Sequence, residues 1–419
     1  MSYRRRHGHS LPIDHVIDPK NVEPRHQMIQ TKHENQRQGQ SHKKIRHKPD
    51  YTDIVEPPLP ICFTRKRTVR GTSEEHMRPI YGRFAAIAIC IAALASAQSQ
   101  PQNAKDFLRK YLGFSEADIA NLDKGELITK LPKVPDQREV AAFAAVRVNA
   151  RPEQLATQFR DIVRWKKGDS VPEIGKFSDK PVIADLSGLT IEPDDIKLMK
   201  KCKPGSCDIK LSAASMERLV KGTNWTAANY QGQAENLFKE MLVEYVGTYK
   251  TGGNRYLISY ADQKQTLKLP EDFSALLKES NYVTEYAPEL ANYIDKYPNA
   301  PLPGSDEFVY WSKEKFGIQP VLSMTHVTIY PRRHANANEV LIASKQLYAT
   351  HYFESSLAFT MMIQREGGDG SYLLYLNRSR SDTLRGFFSG ITRMFISGHV
   401  RDGAEKSLQL AKTRLEAGQ

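Results

Sequence analysis

The chain has 419 residues, with 60 Lys and Arg against 48 Asp and Glu and a formal net charge of +12. Its 40% hydrophobic and 9% aromatic content excludes wholesale disorder, and its length is ample for a large core. It contains no run of about 18 apolar residues, which excludes a polytopic membrane protein.

The charge is concentrated at the front. Residues 1–76 hold 15 basic and 9 acidic groups with 8 of the 12 His, whereas residues 98–419 are nearly balanced at 43 against 39. The basic runs Arg4-Arg5-Arg6, Lys43-Lys44 and Arg65-Lys66-Arg67 have no interleaved aromatic residues to stack on bases. They read as a solvated, disordered leader, and no nucleic-acid partner is expected.

Met77 opens a segment with Arg78 and Arg83, an apolar core from Phe84 to Leu94, and the small-residue triplet Ala95-Ser96-Ala97. That is the make-up of a secretory signal peptide, with cleavage expected between Ala97 and Gln98. The sequence therefore predicts an exported protein, periplasmic or secreted, with mature residues 98–419. The leader 1–76 is then either a polar cytoplasmic tail or untranslated sequence ahead of a start at Met77; the second is preferred.

Cys62 and Cys90 fall in the discarded part, leaving Cys202 and Cys207. Between them Pro204-Gly205 is the preferred centre of a type II turn, which brings the flanking residues close enough for a disulfide. A redox Cys-x-x-Cys, a haem site and a zinc site each lack a required residue. A structural disulfide is expected.

Along the mature chain, 102–122 reads as two short helices, the second capped by Ser115 with Asp118 three residues on. Arg138 to Asn149 reads as a strand, and Arg151-Pro152 opens a helix carrying Leu155, Phe159 and Ile162 on one face. A loop-rich region follows, with a short helix near 213–220. The positions Tyr230, Ala234, Leu237, Phe238, Met241, Tyr245 and Tyr249 keep helical spacing until Gly252-Gly253 stops it. Shorter helices are expected over 271–280 and 288–297. After Pro301 the pattern changes to four candidate strands, 321–330, 339–348, 353–364 and 371–377. Short connections make them an antiparallel meander, closed by an amphipathic helix over 383–416.

The order strand, helix, meander and long C-terminal helix resembles the START-like (polyketide-cyclase-like) helix-grip superfamily. Lys124-Gly125-Glu126-Leu127-Ile128, then Phe143–Asn149, Arg151-Pro152 and Asp161-Ile162, looks like the opening of its bacterial members. The likeness covers residues 122–177 and 305–416, interrupted by a mainly helical insertion at about 178–305. Tyr310-Trp311-Ser312-Lys313-Glu314-Lys315-Phe316-Gly317 also looks like uncharacterised exported bacterial proteins. The resemblance implies an α+β fold with an antiparallel sheet packed on a long C-terminal helix, and an apolar cavity between the two.

No nucleophile elbow or phosphate-cradling glycine loop is present. Ser312-x-x-Lys315 and Lys250-Thr251-Gly252 match pieces of penicillin-interacting enzymes in reversed order, which is chance. His326, His334, His351 and His399 supply no converging ligand set, so neither metal nor cofactor is expected. The basic residues of the last helix could meet anionic headgroups, giving peripheral membrane contact, but read first as a solvated face. Aromatic and Met residues suit a cavity wall, and Trp311, Met324, His326, Tyr348, Ser355, Phe359, Met361, Phe388 and Phe395 are the candidates. The function expected is binding of an apolar or lipid-like ligand. The rivals are a hydrolase with a dispersed active site, and an envelope interaction protein without a cavity.

Overall fold

A computed structural model describes residues 101–316, 319–385 and 389–418, without the side chains of 389–392, 394 and 395. The chain begins with helices α1 (Ala104–Leu112) and α2 (Glu116–Asp123). Ser115 caps α2 and Asp118 returns the bond to its backbone, the reciprocal box expected from sequence. Strands β1 (Ile128–Lys130) and β2 (Glu139–Val148) follow, then α3 (Pro152–Arg160), α4 (Ile162–Lys166) and β3 (Glu173–Lys176).

The next stretch is mainly helical: α5 (Pro193–Met199), α6 (Ala213–Gly222) and α7 (Tyr230–Gly252). A two-stranded ribbon of β4 (Ser259–Tyr260) and β5 (Leu267–Lys268) precedes α8 (Leu269–Lys278), α9 (Asn281–Thr284) and α10 (Pro288–Lys296). The meander is β6 (Asp306–Phe316), β7 (Gln319–His334), β8 (Ala337–Ala349), β9 (Phe353–Gln364) and β10 (Ser371–Ser381), and α11 (Ser389–Glu416) closes the chain. The eight-stranded sheet has the order β1-β2-β10-β9-β8-β7-β6-β3 and is antiparallel throughout. The fold class is the expected one.

Both faces of the sheet are covered. On one, Phe143, Trp311, Met324, Leu357, Phe359, Met361 and Leu376 merge with α1 and with the helices between β3 and β6 into a single apolar core. On the other, Val146, Val148, Val327, Ile329, Val340 and Met362 pack with Leu155, Phe159 and Ile162 from α3 and α4, and with Leu408 and Leu415 from α11. Two-sided cover explains why β7 is buried from Val321 to Ile329 without alternation.

The sequence reading did not find β6. Its apolar run ends in Ser312-Lys313-Glu314-Lys315, which looks like loop. In the fold Lys313 is buried because its ammonium reaches Glu192 at 2.5 Å and the Thr190 hydroxyl at 2.8 Å. Cys202 and Cys207 are bonded to each other and buried, and Gly205 at φ +81° supplies the left-handed position a type II turn requires. Among the described residues no helix is long and apolar enough to cross a membrane. The leader, the segment 77–97 with its Ala97–Gln98 junction, and Cys62 and Cys90 lie outside the described residues.

Candidate functional site

Seven of the nine candidate wall residues, Trp311, Met324, His326, Tyr348, Ser355, Phe359 and Met361, lie on the face that the inserted helices cover. Trp311 donates its indole N–H to the Asp185 carbonyl at 2.9 Å, and Tyr348 its hydroxyl to the Lys210 carbonyl at 2.8 Å. Phe359 meets Tyr282 edge-on at 5.7 Å, and Met324 and Met361 are buried in the same core. Ser355 donates to Asp272 of α8 at 3.0 Å. The expectation that the C-terminal helix covers this face is therefore corrected. The large side chains of β9 interlock with the inserted helices, and α11 lies on the other side. Phe395's side chain and Phe388 fall outside the described residues.

His326 is buried there as well, within a chain of polar groups. The Tyr249 hydroxyl lies 2.9 Å from His326 Nδ1 and accepts from Lys345 at 3.3 Å. His326 Nε2 stands 3.4 Å from Glu307 but is too poorly aligned for a full hydrogen bond. Burial pushes the imidazole below its ordinary range despite Glu307, so the ring is neutral at physiological pH. Lys345, over the Phe273 ring at 4.1 Å and bonded to Asn254, has its ammonium driven well below the usual value by burial. Burial would raise Glu307, but His326, Tyr293 and Tyr297 outweigh it and hold the carboxyl at about 2.

A second network joins sheet to insertion. Arg138, Arg378 and Arg380 bind Asp136, Glu139, Asp272, Glu279 and Glu354, and Glu139 is fully buried. His351 pairs with Asp195 at 3.0 Å, well away from His326 in the ladder. Among the described residues no cluster of His, Cys, Asp and Glu could hold a metal ion. These polar groups tie elements together: the carboxylates of the second network are paired with Arg138, Arg378 and Arg380, and Glu307 is bonded by the Tyr293 and Tyr297 hydroxyls.

The opposite face is different in kind. Its central rows run in register as Ala142, Asn377, Ala358 and Ser344, with Ala144, Tyr375, Thr360 and Ile342 beside them. Ser379 and Ser356 continue the pattern. Apart from the buried Ile342 these side chains are small or polar; Ala142, Ala144 and Ala358 are buried, whereas Asn377, Ser344, Thr360, Tyr375, Ser356 and Ser379 remain half-buried in mid-sheet. α3 and α4 fill one end of this face with Phe159 and Ile162. α11 lies along β2: Arg393 bonds the Glu139 carbonyl, and Lys412 bonds the Arg147 carbonyl. Between these covers the polar side chains in mid-sheet keep part of their surface, which marks this region as the candidate cleft.

Lys166 at the end of α4 and Glu314 on β6 form its charged wall. Lys166 donates to Glu314 Oε1 at 2.9 Å and to the Tyr310 hydroxyl at 3.2 Å, and Ser312 donates to the same Oε1 at 2.8 Å. Burial pushes the ammonium down, but Glu314 and Tyr310 more than restore it; burial pushes the carboxyl up, but Lys166 and Ser312 hold it low. Both groups are charged. They feel the desolvation of a buried pair, yet Lys166 keeps 29% and Glu314 35% of its side-chain surface.

Tyr375 supports the same geometry. Burial raises its hydroxyl, Asn377 opposes this, and Lys166, Glu314 and Tyr310 all act on it electrostatically. In strand order β10 stands four steps from β6, roughly 19 Å in a flat sheet. Tyr375 nonetheless lies within electrostatic reach of Lys166, Glu314 and Tyr310.

Outside the cleft, a groove of about 590 Å³ runs between α3, α4 and the end of α11, beside Arg151, Gln158, Trp165 and Arg414. A crevice of about 10 Å³ by Thr190 and Thr350 has room for about one water. No protein family, no curated protein and no solved structure matches the chain.

Proposed function

We propose that the protein binds an amphipathic, lipid-like small molecule in the cleft between this sheet face and α11. The observation that carries this reading is the row of half-buried Ser, Thr, Tyr and Asn side chains, set among small buried Ala residues, in the middle of a sheet whose other face is solidly filled. Small floor residues leave room for an aliphatic body, and the Lys166–Glu314 pair offers a polar end. The layout is that implied by the helix-grip resemblance, with the insertion serving as a buttress behind the sheet. Export through the segment 77–97 is part of the proposal, and the buried Cys202–Cys207 bond is compatible with it. The envelope or the extracellular space is then where the ligand is met.

Native mass spectrometry of protein purified from the compartment where it resides tests the proposal. A bound small molecule released on denaturation supports it. Protein that is ligand-free and fails to take up any fluorescent lipid analogue overturns it.

A further inference from the structure

Resting on the cleft reading, we infer that the ligand is an uncharged amphipath bearing a hydroxyl, such as a monoacylglycerol or a fatty alcohol, and not a fatty acid or phospholipid. The polar wall carries one full positive and one full negative charge in contact, Lys166 and Glu314 at 2.9 Å. Their sum is zero. A charged headgroup brought against this pair would find no uncompensated partner, and desolvating it would be unfavourable.

The bonding capacity left over is specific. Glu314 Oε1 accepts from both Lys166 and Ser312, while among the described residues nothing donates to Oε2. Lys166 has three N–H groups and spends two, on Glu314 and Tyr310. One acceptor and one donor therefore remain side by side. A hydroxyl satisfies both, donating to the carboxylate oxygen and accepting from the ammonium. A carboxylate can only accept, so it leaves Oε2 facing a like charge. Around the pair, Ser312, Tyr310, Tyr375 and Asn377 add neutral hydroxyl and amide groups. A hydroxylated head gains hydrogen bonds from these without altering the charge balance.

The test uses the purified mature protein and two fluorescent probes with the same acyl chain, one a monoacylglycerol and one a fatty acid, compared in wild type, Glu314→Gln and Lys166→Gln. Wild type should bind the monoacylglycerol at least about tenfold more tightly, equivalent to about 1.4 kcal/mol. Glu314→Gln leaves the cleft with an unopposed ammonium and should reverse the preference. Lys166→Gln leaves an unopposed carboxylate and should exclude the fatty acid altogether. A merely structural pair would weaken both probes together, and that result overturns the inference. Equal or tighter binding of the fatty acid by wild type overturns it too while leaving the cleft proposal standing. Binding of neither probe overturns both.

Discussion

A pair of substitutions on β9 separates a filled face from an open one. Ser355 and Ala358 lie three residues apart and point to opposite sides of the sheet. Ser355 is fully buried and donates to Asp272, itself held by Arg138 and Arg380. Ser355→Phe overpacks that side, at about 1–3 kcal/mol, and removes a hydrogen bond to a charged group, at about 1.5–3 kcal/mol. The sum, about 2.5–6 kcal/mol, is a large part of the total stability of an ordinary domain. Ala358 sits among Asn377 and Ser344 on the cleft floor. Ala358 is buried, but it makes no polar bond and its neighbours Asn377 and Ser344 are only half-buried, so Ala358→Phe should cost no more than the low end of about 1–3 kcal/mol while abolishing uptake of a fluorescent lipid analogue. Urea unfolding gives both stabilities, and fluorescence titration gives the binding. If Ala358→Phe unfolds as easily as Ser355→Phe, the floor is packed and the cleft does not exist.

Three further outcomes follow from the buried polar groups. Lys345 is buried with its ammonium well below the usual range, whereas the unfolded chain holds that proton to about pH 10.4. The unfolded state therefore binds more protons across that interval, stability rises with pH, and Lys345→Met should flatten the rise between about pH 7 and 9; equal slopes would contradict this. Glu307, held at about 2, contributes stability that is present above its unfolded value near 4.3 and is lost as pH falls through the folded one. Glu307→Gln should thus be less stable than wild type at neutral pH and converge with it in acid, as measured by thermal melts across that range. Reduction of Cys202–Cys207 should cost about 2 kcal/mol, since the closed loop is short, and should leave the circular dichroism unchanged; stoichiometric thiol labelling of native, unreduced protein would contradict the bond.

Much of the fold was legible because its signals are local. The spacing of Ala234, Phe238, Met241 and Tyr249 specifies one helical stripe, and all four are buried in α7. Pro204-Gly205 marks the turn that brings the cysteines together. What sequence reasoning misjudged was which face of the meander the C-terminal helix covers. On β9, Phe359 and Met361 read as a cavity wall because they are large and apolar. Large side chains opposed by the equally large Phe273, Tyr282 and Leu276 interlock and leave no space. The informative residues were those alternating with them, Ser356, Ala358 and Thr360, whose small size on consecutive cleft-facing positions is visible in the sequence. The Lys166–Glu314 pair is another matter. Its members are 148 residues apart and meet only because α4 packs beside β6 in the fold.

The central claim is the location of the ligand, and photo-crosslinking addresses it directly. A monoacylglycerol carrying a diazirine in its acyl chain is bound to the protein, irradiated, and the modified peptides identified by mass spectrometry. The cleft account predicts labels on the floor segments around Ser344, Ala358 and Asn377, and on the first half of α11. Labels confined to the inserted helices, or spread over the surface without regard to the cleft, would contradict it.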